Sequence, residues 1–91
     1  MPYINQDTRK EFDNDISSIA DKLMKIDKSK RDGTLNYLFT KLLLKCFGDE
    51  KVGYLEYERL IGILECCKLE LYRKAVSEYE DKKIFENGDV Y

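Results

Sequence analysis

The chain has 91 residues, with 16 Lys and Arg against 18 Asp and Glu and no histidine, for a formal net charge of −2. The two signs are mixed throughout, so there is no basic block to track a nucleic-acid backbone, and no apolar run approaches the roughly 20 residues of a membrane span. The opening MPYINQDTRKEF is polar, unlike a secretion signal, so the expectation is a cytoplasmic protein that binds neither nucleic acid nor membrane.

With a single proline and long stretches of good helix formers, the chain reads as all-α. The expected architecture is a small helical bundle of three main helices in one domain, residues 1–91, with a very long C-terminal helix. Asn5 is a plausible N-cap for a turn of helix over about 6–12. Asp13 can cap the next segment, and Phe12, Ile16, Ile19, Ala20, Leu23 and Ile26 share one stripe, predicting a helix over 14–26. Asp27–Gly33, DKSKRDG, reads as a polar connection ending in a turn dipeptide. The next helix is expected from Thr34 to about 47, with Gly48 as its C-cap. Its apolar face comprises Leu35, Leu38, Phe39, Leu42, Leu43 and Cys46, while Tyr37 and Leu44 point elsewhere. GDEKVG then links to the last helix, and so short a link favours antiparallel neighbours.

The last helix, about 54–86, would measure roughly 50 Å at 1.5 Å per residue. Placed at about 100° per step, Tyr57, Leu60, Ile61, Leu64, Cys67, Leu71, Ala75 and Tyr79 fall on one side. A second apolar line, Leu55, Gly62, Cys66, Leu69 and Val76, runs near the opposite side. A surface helix on a monomer needs only one such line, so the second is the candidate interface, and a homo-oligomer, with a dimer favoured, is expected. Gly62 costs about 1 kcal/mol against alanine in a helix interior. Either it opens a notch with Cys66 for a close-packed neighbour, or it relieves crowding beside a bulky core residue. Glu70–Lys74 and Glu78–Lys82 have the favourable i, i+4 order, and Asn87-Gly88 supplies the residue types of a helix stop.

Catalytic and metal signatures are missing. Cysteines stand at 46, 66 and 67, an odd count with no CxxC, and are read as buried small hydrophobes. Zinc lacks its usual ligands, and without histidine the usual triads have no base. No enzyme activity, cofactor or metal is therefore expected. Two weak candidates for anion binding remain. One is the expected helix start Gly33-Thr34-Leu35-Asn36, near Lys30, Arg31 and Lys41, where free amides attract anions, although ordinary capping is the stronger explanation. The other is the group Lys68, Tyr72, Arg73 and Lys74, where cations beside an aromatic suit a nucleotide. The competing explanation is a snorkelling or internally paired Lys68. Together they give a candidate ligand set of Asn36, Tyr37, Lys68, Tyr72 and Arg73. The seven tyrosines suit half-buried seams and interfaces.

The start MPYI, the block LNY at Leu35–Tyr37, IGILECCKLELYRK at Ile61–Lys74 and the ending YEDKKIFENGDVY at Tyr79–Tyr91 resemble a small uncharacterised protein family of bacteria and their phages. In that family an alanine–proline pair often stands where this chain has Ser77-Glu78. Proline there would bend the helix; Glu78 removes that compulsion, leaving a straighter helix or a bend kept by packing, with a break near Ser77 as the alternative. The resemblance implies an intracellular helical protein, phage-encoded in some cases, without a mechanism. The function expected is a non-enzymatic oligomeric binding module that sequesters a small anionic nucleotide-like signal in an anti-defence role. The alternative is a structural adaptor that binds a host or phage protein through an apolar helix face.

Overall fold

A computed structural model of the chain describes residues 1–46 and 52–91. Among these it is all-helical, with three helical rods, the last long, and no strand. The expected helix end at 47, the Gly48 cap and most of the GDEKVG link lie outside the described residues. The chain divides into two compact units, Pro2–Val52 and Gly53–Tyr91 with Met1, described here in turn.

The first unit opens with α1, Gln6–Lys25. Asn5 caps it as expected: its side-chain Oδ1 accepts from the Thr8 amide at 2.9 Å, satisfying one of the orphan donors of a helix start. Separate helices at 6–12 and 14–26 do not occur, because α1 runs through Asp13 unbroken. An aspartate in an exposed helix interior costs only about 0.7 kcal/mol and, unlike proline, removes no backbone donor. Ile26 ends the helix in an extended conformation.

The second helix, α2, spans Lys28–Cys46, so it begins six residues before the expected Thr34. The segment read as a polar connection is helical from Lys28 on. Lysine and arginine are good helix formers, and polarity alone does not break an exposed helix. At its start the Asp27 carbonyl accepts from the Lys30 amide at 2.9 Å, and its carboxylate accepts from the Ser29 hydroxyl at 3.1 Å. Arg31 then reaches back to α1. Its Nε donates to the Leu23 carbonyl at 3.0 Å, and its Nη2 donates to those of Met24 at 3.2 Å and Ile26 at 3.4 Å. One guanidinium thus serves carbonyls at the end of α1, where that of Leu23 also accepts from the Ile26 amide at 3.3 Å.

The second unit is one rod. Helix α3, Tyr54–Leu71, passes into a single wide π turn, Tyr72–Val76, and on into α4, Ser77–Asn87. Leu71 and Ser77, at the two joints, keep helical dihedrals, so there is no break near Ser77. In the wide turn the Ser77 amide donates to the Tyr72 carbonyl, five residues back. The extra residue in that turn rotates everything beyond it by roughly 100° relative to an uninterrupted α-helix. At the start, the Gly53 amide donates to the Glu56 carboxylate at 2.9 Å. At the end, Gly88 takes φ +91° and ψ 152°, a region essentially reserved for glycine, and its amide bonds the Ile84 carbonyl at 2.8 Å.

Among the described residues Leu60 alone is buried, at 6% exposure. Large apolar side chains are open on every helix, among them Ile16 on α1, Leu42 on α2 and Leu71 on α3.

Candidate functional site

Within the first unit the stripes of α1 and α2 meet along an open groove of about 460 Å³. Ile16, Ile19, Ala20 and Leu23 come from α1, and Leu35, Tyr37, Leu38, Phe39 and Leu42 from α2. Among the described residues, the only charged ones lining it are two cations of α2, Lys41 and Lys45. Ile16 is 61% exposed and Leu42 63%, so the groove is a surface and not a closed core. Its volume falls in the range of ligand pockets, but such pockets place several convergent polar groups to orient a small molecule. A nearly continuous apolar trough edged by lysines instead suits an amphipathic helix, which lays its greasy face into a groove. The stripes themselves were legible from their spacing. That they would line an open trough was not, because periodicity tells which residues share a face and not what covers that face.

The helix start expected at Gly33-Thr34-Leu35-Asn36 is not found there. These residues lie inside α2, where amides are consumed by the carbonyls four residues back, and Thr34 Oγ1 donates to the Lys30 carbonyl at 2.8 Å. Arg31, expected nearby, is engaged with the end of α1. Of the ligand set, Asn36 and Tyr37 belong to α2, while Lys68, Tyr72 and Arg73 belong to the rod. Tyr37 lines the groove, and the Asn36 Oδ1 accepts from the Thr40 hydroxyl at 3.5 Å.

On the rod each of the three polar residues holds a carboxylate of its own helix. Lys68 Nζ is 2.8 Å from Glu65 Oε1, and Arg73 Nη2 is 2.6 Å from Glu70 Oε1. The Tyr72 hydroxyl donates to Glu80 Oε1 at 2.7 Å. That last pair spans eight residues. In an unbroken α-helix such positions sit about 80° apart around the axis, and the wide turn brings them to within roughly 20° of one line. The bond to Glu80, reinforced by its negative charge and by partial desolvation, holds the phenol in its neutral form and raises its pKa above 10.0. The ion pairs seen on the rod follow an i, i+3 spacing, Lys83–Glu86 at 3.1 Å included, where the sequence suggested i, i+4.

The second apolar line stands open. Leu55 is 55% exposed and Leu69 57%, and Gly62 and Cys66 are exposed as well. A Cβ added at Gly62 would meet nothing within 4 Å, so crowding among the described residues does not explain that glycine. Val76 no longer continues the line of Leu69, because the wide turn rotates it away by about 90°; it is half-buried. The three cysteines, expected to be buried, are free and exposed. Among the described residues no group of three or more His, Cys, Asp or Glu side chains could hold a metal ion, and no helix is long and apolar enough to cross a membrane.

A family model described as Domain of unknown function (DUF6899) matches residues 1–90. No curated protein matches the chain, and no solved structure does.

Proposed function

Since the chain belongs to that family over nearly its whole length, whose description states no activity, we propose a function from its surfaces: a non-enzymatic helical module that works by association, first with a second copy of itself. One observation supports this above the others. Large apolar side chains lie exposed along α1, α2 and the rod, with Leu60 the one buried residue among those described. Contiguous apolar surface such as the groove of the first unit is of the kind that marks interaction sites, and a dimer supplies the cover by using each patch twice. The helical bundle would then be completed between copies, in the cytoplasm.

Leu69→Lys tests this. The substitution puts a charge in the middle of the second apolar line, so association should be lost while the helical circular dichroism persists. Unchanged association would remove that line from the interface.

We also propose an origin in bacteria or their phages, supported by the MPYI start and the NGDVY ending. In that setting the module would act against host defence by capturing a small anionic, nucleotide-like signal. The exposed cations of the LYRK stretch support this less strongly, because Lys68 and Arg73 already hold Glu65 and Glu70. The adaptor role, with a host or phage protein on the same apolar face, shares the main observation. Intact-complex mass measurement after mixing with a nucleotide panel separates them: bound nucleotide supports capture, and its absence across the panel removes capture and leaves the adaptor.

A further inference from the structure

We infer that the groove of the first unit is the receptor for the second apolar line of α3 from another copy, so that two chains exchange helices reciprocally. This rests on the self-association proposed above and adds to it which face meets which. The argument is charge complementarity. Around α3, at about 100° per residue, the order is Glu65, Glu58, Leu69, Gly62, Leu55, Cys66, Arg59, which puts two carboxylates along one edge of the line and one cation at the other, so the line is seated with its acidic edge toward α2. Among its described lining residues the groove presents Ile16, Leu23, Leu38 and Leu42 with two cations, Lys41 and Lys45, and no acid. Seating the line in the trough sets Glu58 and Glu65 against Lys41 and Lys45; Glu65 would then share its carboxylate between Lys68 of its own helix and the groove. The opposite face of α3 is the poorer fit, because Lys68 stands within its apolar arc and would meet like charge. The line is long enough to fill the groove: Leu55 to Leu69 spans about 21 Å of helix, against about 15 Å of groove from Leu35 to Lys45. The line is exposed, as are Ile16 and Leu42 of the groove, with Leu23 and Leu38 half-buried at its floor, and the empty space around Gly62 lets the rod settle deep between α1 and α2.

Paired charge reversal on the full chain is the test. Lys41→Glu with Lys45→Glu gives one variant, and Glu58→Lys with Glu65→Lys the other. Each alone should associate on the order of tenfold or more weakly than the unmodified chain, because like charges then face each other at both contacts. Mixed in equal amounts, the two should form a heterodimer of near-normal strength, since every contact again pairs opposite charges. Circular dichroism establishes that each variant is helical. Should either fail to fold, the salt dependence of the unmodified chain decides, because this interface weakens as salt rises and a purely apolar one does not. If the unmodified chain associates but the reversals have no effect, the mixture fails to recover, or salt makes no difference, the pairing is wrong and self-association stands. A chain that stays monomeric removes both.

Discussion

Arg31 reaches across the turn between α1 and α2 to three carbonyls, and the bond to Leu23 is half-buried. Hydrogen bonds from a charged donor contribute about 1.5–3 kcal/mol each at most, and three bonds from one half-buried fork do not add fully. Arg31→Ala should therefore lower stability by about 1–3 kcal/mol. Arg31→Lys should recover only part of it, because an ammonium lacks the planar fork that meets several acceptors at once. Urea midpoints for the two variants check this, and equal loss in both would show that the fork geometry is irrelevant. At Tyr72 the prediction concerns pH. The phenol is raised above 10.0 by its bond to Glu80, so the bond's contribution is fully present below pH 10 and is lost as pH climbs through the raised pKa. Tyrosinate absorbance should show Tyr72 ionising above pH 10, and Glu80→Gln should lower the pH at which it does.

Among the elements, α3 offers a test through Gly62. In an isolated helix Gly62→Ala stabilises by about 1 kcal/mol, and nothing in the described structure would obstruct the new methyl. If a second copy approaches the backbone there, the same substitution should raise helicity at low concentration and weaken association; stronger or unchanged association would show that no close approach occurs. The helices themselves were largely legible. The Asn5 cap, the stripe through Ile16 and Leu23, and the start of the rod at Tyr54 all follow from spacing and residue type. The misplaced boundaries share one physical origin. Asp13 and the run from Lys28 to Gly33 are compatible with either a helix or a turn, differing by only a few tenths of a kcal/mol per residue. For the run from Lys28 what decides is a tertiary partner, the hold of Arg31 on α1. The wide turn at Tyr72–Val76 was not legible, because one inserted residue leaves no mark in composition. It changes which residues line up beyond Leu71, and so it removes Val76 from the second line and creates the Tyr72–Glu80 bond.

For the molecule as a whole, surplus apolar surface was visible in the sequence as two lines on one helix, and in the structure it extends to α1 and α2 as well. The ligand set drawn from the sequence fares differently. Its polar residues are occupied by their own neighbours or divided between the two units, because polar patterns alone do not reveal which charges already have partners. Self-association is thus the claim on which the proposed function rests, and sedimentation equilibrium of the unmodified chain over a wide concentration range tests it most directly. The average mass should rise from that of the 10.8 kDa chain toward twice that value as concentration increases. A mass that holds at a single chain throughout, with helicity intact, would contradict it.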